Sequence, residues 1–304
     1  MTIAYVPDGL DGERADAAAA RMTGLTRSRV EQVAAEGGLL VDGAPVAKSF
    51  RVRAGALLEV ATDKPERTLH VTPRLVDGMK VVHDDPDIVV VDKPPFVAAH
   101  PSLGWTGPSV TEHLAAAGFQ IATSGAPERQ GVVQRLDVGT SGLMVLAKSE
   151  RAYSVLKQAF RDHTVRKLYR ALVQGYPDPL NGTIDAPIGH ARTDEWKMAV
   201  RADGRPSVTH YRTLEVFPSV TLLEVELETG RTHQIRVHMS AVHHPCAGDL
   251  LYGADPTLAE RLGLTRQWLH AFSLSFAHPG TGEQMAFESP DPPDLARALE
   301  LVAV

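Results

Sequence analysis

Between Gly131 and Lys148 the chain places a charged turn inside two apolar runs, a pattern that leaves few choices of backbone. Val132-Val133 leads in, Leu143-Met144-Val145-Leu146-Ala147 leads out, and the intervening Gln134 to Gly142 is polar and glycine-containing. The expected local structure is strand, loop, strand, with the loop held by rigid neighbours, the usual setting for reactive groups. At its centre Asp137 is flanked by Leu136 and Val138. A carboxylate in apolar surroundings needs a cation nearby if it is to stay ionised. In an extended backbone Arg135 and Asp137 share one side while Leu136 takes the other, so both charged groups can face one cleft. An ordinary salt-bridged turn is the simpler alternative for an isolated Arg-x-Asp.

Three further segments bear on that choice. They are Lys167-Leu168-Tyr169-Arg170-Ala171-Leu172-Val173, Gly230-Arg231-Thr232-His233-Gln234-Ile235-Arg236-Val237-His238, and His244-Pro245-Cys246-Ala247-Gly248-Asp249 with Tyr252-Gly253. Upstream stand Val91-Asp92-Lys93-Pro94 and His100-Pro101. Taken in this order, with Arg135-Leu136-Asp137 and Thr140-Ser141-Gly142-Leu143, they resemble the motifs of the RluA/RluD family of pseudouridine synthases, the RluD-like branch acting on the ribosomal large subunit in particular. The resemblance spans roughly residues 80 to 290.

That resemblance implies an isomerase acting on RNA without redox cofactor, nucleotide or metal. Asp137 is then the catalytic carboxylate, attacking the ribose or abstracting a sugar proton; the residues do not separate the two routes. Arg236 is its implied partner, suited by a permanent charge and two-pronged hydrogen bonding. Tyr169 is the implied active-site tyrosine, stacking on the base, with a packed strand aromatic as the alternative. Arg135 is implied to enter the duplex space vacated by an everted uridine, because a base inside a stack cannot be reached. Arg231, His233 and Gln234 are expected around the substrate. The chain departs from the family pattern at Gln134, where a His is usual, at Val138-Gly139, and at Pro95-Phe96, where a Gly usually ends the pair.

Outside these motifs, residues 1–62 read as a small unit. Asp16 to Arg21 is Ala-rich and helix-favouring, Thr26 is an N-cap for a helix closed by Gly37-Gly38, and Asp42-Gly43 marks a hairpin turn. With Arg27 and Arg29 on its second helix, the unit resembles an α-L RNA-binding module of ribosomal-protein type. A structural cap with scattered surface charge is the alternative. Residues 63–78, with Pro65 and Pro73, are expected to be a linker, and 79–304 a catalytic domain. Strand-like runs lie at Lys80–His83, Ile88–Asp92, Tyr169–Val173, Val208–Leu214, Val220–Glu228 and Gln234–Val237, and helical patterns at Val110–Ala117, Ser154–Arg161 and Pro256–Leu262. The fold class is therefore α+β, with a large, mainly antiparallel mixed sheet flanked by helices.

The net charge of −6 is unusual for a chain that binds nucleic acid. Its distribution is uneven, however. Arg151 to Arg170 carries six Lys or Arg against Asp162 alone, either a basic face or a solvated helix surface. His233, His238, His243, His244 and Cys246 fall at spacings that match no standard zinc pattern, with Arg236 among them. With Cys246 the sole cysteine, no intrachain disulfide can form, which fits a reducing cytoplasm. The first residues suggest no secretory signal, and no apolar run approaches the roughly 20 residues of a membrane span. The expected protein is a monomer that modifies 23S ribosomal RNA in the cytoplasm. A tRNA pseudouridine synthase, or a catalytically silent RNA-binding assembly protein, are the alternatives.

Overall fold

The computed structural model describes residues 2–61, 71–102, 104–192 and 197–303. The chain divides into two compact units, Met1–Thr68 and Leu69–Val304. In the first, β1 (Thr2–Tyr5), α1 (Ala15–Thr23), α2 (Arg27–Ala35), β2 (Leu39–Val41), β3 (Ala44–Pro45) and β4 (Leu57–Val60) follow in order. The strands form a sheet in the order β1-β4-β2-β3. Thr26 caps α2 by accepting a hydrogen bond from the Arg29 amide. The β2–β3 hairpin turns on Asp42 (φ 50°) and Gly43 (φ 78°), the left-handed pair that matches the twist of the flanking strands. Ala15, Ala18, Ala19, Val30, Val33, Leu39 and Leu58 are buried together as a separate core. One carboxylate sits within it. Asp16, with no exposed side chain, accepts from Arg14 at 3.1 and 3.0 Å and from Arg27 at 3.2 and 3.1 Å. The Arg14 hydrogen bonds, helped by Arg27 and working against burial, hold its pKa at about 2.

The second unit contains β5 (Lys80–Asp84), β6 (Ile88–Lys93), α3 (Val110–Ala116), β7 (Ser141–Ala147), α4 (Glu150–Arg161), β8 (Arg166–Gln174), β9 (Asn181–Asp185), β10 (Ile188–His190) and β11 (Met198–Val200). Then come β12 (Val208–Val216), β13 (Val220–Leu227), α5 (Gln234–Ala241), α6 (Pro256–Arg261), β14 (Leu269–Ala277), β15 (Gln284–Glu288) and α7 (Pro293–Val302). A nine-stranded sheet runs β5-β6-β7-β14-β8-β13-β12-β9, with β15 also on β14. Its ladders are antiparallel except the pairing of β7 with β14.

Ile88–Val91 of β6 and Leu143–Ala147 of β7 are apolar without a break because both faces of the sheet are covered. Val89, Val91, Met144 and Leu146 enter one core with Leu114 of α3 and Ile235 and Met239 of α5. Ile88, Val90, Leu143 and Val145 enter another with Ala152 and Leu156 of α4. Period-two alternation is thus present but invisible as polarity. Each large side chain buried in this way contributes on the order of 1.5–3 kcal/mol. A third cluster packs Trp268 against Leu258 of α6, Leu262 just after it, and Leu295 and Ala298 of α7.

Two local expectations are overturned. Gln234–Val237, read as a strand from its alternation, is the first half of α5. His233 adopts a left-handed backbone (φ 56°) that turns the chain into the helix, and every residue from Gln234 to Met239 is buried. A helix enclosed on all sides has no polar stripe to reveal its period. The expected linker of residues 63–78 is also shorter than proposed at its C-terminal side. The Arg74 amide donates to the Glu112 carbonyl at 3.1 Å and the Val76 amide to His113 Nδ1 at 3.0 Å, while Val76 packs on the core. The part of that segment covering residues 63–70 lies outside the described residues. Among the described residues no helix is long and apolar enough to cross a membrane.

Two outcomes follow from this packing. Gly142 (φ 117°) pairs with Ala271 across the parallel ladder, and a Cβ there would lie 2.2 Å from the Ala271 carbonyl oxygen. Gly142→Ala should lower stability by about 2–4 kcal/mol, read as the urea midpoint. Asp16, with its folded pKa of about 2 against an ordinary 3.8, contributes stability that is complete above about pH 4 and lost as the pH falls toward 2. Acid titration by circular dichroism should show that Asp16→Asn removes this dependence, a difference on the order of 1–2 kcal/mol given the partly exposed arginines.

Candidate active site

Asp137 opens the turn that feeds β7, its carbonyl accepting from the Thr140 amide at 3.0 Å. The turn is clamped from several directions. The Phe96 amide donates to the Val138 carbonyl at 2.7 Å. Lys93, at the end of β6 and fully buried, donates from Nζ to the carbonyls of Val97 (2.8 Å), Pro94 (3.0 Å) and Val138 (3.3 Å). Arg266 Nη1 donates to the Gly139 carbonyl at 3.0 Å, and Gln267 Nε2 to Thr140 Oγ1 at 3.1 Å. Arg266 is itself fixed by Asp294 through two hydrogen bonds of 2.7 and 3.0 Å. Burial lowers the pKa of Lys93 to about 7, with the negative charge of Asp137 opposing that fall. Two buried cations therefore hold the backbone that carries the carboxylate. Sequence reasoning noted Lys93 only as part of an opening strand and missed Arg266.

Arg236 corrects a specific expectation. Its two-pronged hydrogen bonding goes to Asp249, with Nε on Oδ2 at 2.7 Å and Nη2 on Oδ1 at 2.9 Å. Asp137 receives one longer contact, Nη1 to Oδ2 at 3.4 Å. The Tyr252 ring lies under the guanidinium, 4.8 Å from its centre. Burial works to depress the Arg236 pKa, but the Asp249 hydrogen bonds and charge outweigh it and push it up. Asp249 is 2% exposed and Asp137 18%. Only Asp137 is open to a molecule entering from outside. The signal for Asp249 was present in the motif after His244, but its partner could not be read from spacing.

The remaining expected residues divide. Tyr169 of β8 is buried, and burial together with the Asp137 charge pushes its hydroxyl pKa upward. It joins Asp137, Leu136, Leu227, Ile235 and Leu269 around a cavity of about 60 Å³. A wider cleft of about 680 Å³ shares Arg135, Leu136, Asp137 and His233 and extends past Trp105. Arg135 is exposed at the mouth and hydrogen-bonds Thr232. His233 meets the Tyr252 hydroxyl through Nδ1 at 2.8 Å, and burial lowers its pKa. Arg231 lines the small cavity while its Nε donates to the Pro206 carbonyl at 3.1 Å.

Gln234, expected to bind substrate, uses its amide on the protein instead. Oε1 accepts from Thr229 Oγ1 (2.8 Å) and the Arg231 amide (3.0 Å), while Nε2 reaches the Val208 carbonyl (2.9 Å) and Thr209 Oγ1 (3.0 Å). It pins the loop ahead of α5. Arg27 and Arg29 lie in the N-terminal unit, where Arg27 holds Asp16 and Arg29 meets Gln32 at 3.0 Å. The histidines of the supposed cluster face different groups. His238 meets Thr209 and the Ala186 carbonyl, both at 2.9 Å, and His244 donates to the Gln174 carbonyl at 2.8 Å. Among the described residues no three His, Cys, Asp or Glu are grouped for a metal ion.

Residues 87–241, which contain the clamped loop, Tyr169 and Arg236, match the family model described as RNA pseudouridylate synthase. The chain belongs to that family. It is an RNA pseudouridine synthase, and so an isomerase. The synthase is 59% identical to an uncharacterized RNA pseudouridine synthase of Mycobacterium tuberculosis, over 98% of this chain and 96% of that one. It is 39% identical to ribosomal large subunit pseudouridine synthase D of Xanthomonas campestris, over 97% and 91% of the two chains. Among solved structures it resembles human RNA pseudouridylate synthase domain containing 1, with a TM-score of 0.60 and 28% identity over 74% of this chain and 89% of that one.

The buried Arg236–Asp249 pair sets a stability test. Asp249→Asn leaves the guanidinium undercompensated and should cost about 3–5 kcal/mol. In the double variant Asp249→Asn/Arg236→Met the uncompensated charge is gone, so the combined loss should be well below the sum of the single losses. Additive losses in urea unfolding would show that the two side chains act independently.

Proposed function

We propose that the synthase isomerises specific uridines of large-subunit ribosomal RNA, with Asp137 as the carboxylate that acts on the ribose. The target class is supported by the likeness to synthase D proteins along nearly the whole chain, at 39% identity in Xanthomonas campestris and 38% in Nitrosomonas europaea. The observation that carries the assignment of Asp137 is its position. It is the accessible carboxylate of the cavity it shares with Tyr169 and Leu269, with the Arg236 cation 3.4 Å behind it.

In the proposed reaction the bond between ribose C1′ and uracil N1 breaks, the freed base rotates, and a bond forms between C1′ and C5. The proton on C5 leaves and N1 gains one, so the product is an isomer of the substrate. Asp137 either forms a transient bond to C1′ or removes a sugar proton, and in both cases it must be charged. Arg236 supplies the compensating charge. Tyr169, with Leu136, Leu227, Ile235 and Leu269, gives the detached base an apolar surface on which to turn. Because its hydroxyl is pushed toward the protonated form, Tyr169 is better suited to stacking than to taking the C5 proton. Arg135 at the mouth occupies the space left in the RNA by the everted nucleotide, offsetting an extrusion cost of a few kcal/mol. The N-terminal unit, through the exposed part of Arg27 and Arg29, contacts phosphate and positions the RNA.

Asp137→Asn tests the core of this reading, since an amide of the same shape can be neither nucleophile nor base. With ribosomal RNA tritiated at uridine C5, the wild type should release tritium and the variant should fall by at least about 10³-fold, with RNA affinity retained. Turnover by the variant near the wild-type rate would remove Asp137 from the mechanism. Release from tRNA but not from ribosomal RNA would move the target.

A further inference from the structure

Three of the six basic residues between Arg151 and Arg170, none of them used in the chemistry above, line one cavity. The last turn of α4 supplies Lys157 and Arg161, and β8 supplies Lys167, one residue along the alternating face from Tyr169. With Arg231 and Arg135 they line a cavity of about 390 Å³ that also touches Tyr169 and Leu227, so it shares a wall with the site that holds Asp137. Five Lys or Arg side chains line it and no Asp or Glu does. Two acidic groups nearby are engaged elsewhere, although the Glu226 charge also acts on Lys167: Glu226 accepts from Arg166 at 3.2 Å, and Asp162 from Gln158 at 2.8 and 2.9 Å. In a chain of net charge −6, such an arrangement is not a by-product of composition.

Gln134 also lines this cavity, between the loop of Asp137 and the basic side chains. The ligand must therefore be anionic, rich in acceptor oxygens and close to the sugar that Asp137 addresses. Each ribose of an RNA strand is flanked by phosphodiesters that meet those requirements.

We infer that this cavity is a phosphate subsite, which holds one phosphodiester next to the everted uridine between Lys157, Arg161, Lys167 and Arg231. The inference rests on the RNA substrate proposed above. The subsite fixes the ribose relative to Asp137 by holding the backbone beside it.

Short RNAs containing the target uridine, each with one uncharged methylphosphonate at a different linkage, provide the test. Lys157 and Arg161 are exposed side chains, so Lys157→Gln/Arg161→Gln should fold normally, as circular dichroism can check. For the wild type, neutralising one flanking linkage should raise KM by at least about tenfold, the loss of a charge-assisted hydrogen bond. The double variant should show a raised KM on unmodified RNA, a shallower salt dependence by about one to two units of slope, and no further loss at that linkage. Equal sensitivity at every linkage, or a double variant indistinguishable from wild type, overturns the subsite while leaving the RNA reading intact. Failure of the wild type to turn over unmodified RNA overturns the RNA target itself, and the subsite with it.

Discussion

A guanidinium placed out of water must be neutralised, and the way Arg236 is neutralised organises the rest of the site. Desolvating the charge costs several kcal/mol. Asp249 meets that cost through two hydrogen bonds of 2.7 and 2.9 Å, with the Tyr252 ring below. This leaves Nη1 directed at Asp137 over 3.4 Å. The two carboxylates therefore have separate duties. Asp249, almost wholly buried, keeps the cation in place; Asp137, less tightly held and partly exposed, is free to meet a substrate. A symmetrical arrangement, with Asp137 taking both prongs of the fork, would have tied up the oxygens that must act. The single long contact supplies charge without consuming the reactive group.

For that division to work, the loop bearing Asp137 must stay where it is when the substrate arrives. Its carbonyls are held by Lys93 and Arg266 and its hydroxyl by Gln267. These partners come from the end of β6 and the entry to β14, the strands on either side of β7. The one parallel ladder of the sheet, β7 with β14, thus brings the supports to the same edge as the loop. Lys93 also suits this position electrostatically, since the charge of Asp137 acts on it. Loop geometry set before binding is what lowers the cost of reaching a reactive arrangement.

How far this was legible follows from which forces are local. Strands β6 and β7, the Thr26 cap and the Asp42-Gly43 hairpin are written in short stretches, because propensity and turn geometry act over a few residues. Asp137, Tyr169 and Arg236 could be singled out because they sit in dense local motifs. Helix α5 was misread because burial on all sides erased its period, leaving only the Gln-Ile-Arg-Val alternation. The true partner of Arg236 was hidden for a different reason. Asp249 lies 13 residues on in sequence, and the choice between it and Asp137 depends on the direction of a side chain leaving a helix that had been taken for a strand. Arg266 and Gln267 reach Gly139 and Thr140 across 127 positions, a relation that no single-sequence spacing encodes.

The departures from the family pattern become intelligible once they are placed in space. Phe96, standing where a Gly is usual, has φ 62° and is about half exposed. A left-handed backbone is costly for an aromatic residue, which explains the usual Gly, and its amide grips the carbonyl of Val138, a second departure. Gln134, the third, borders the basic cavity beside Tyr169. Val138 lines the wider cleft with Asp137, and Gln134 lines the basic cavity with Tyr169. The strained Phe96 carries a cost in the free protein, and what it secures in return is the hydrogen bond from its amide to Val138, which holds the loop directly after Asp137.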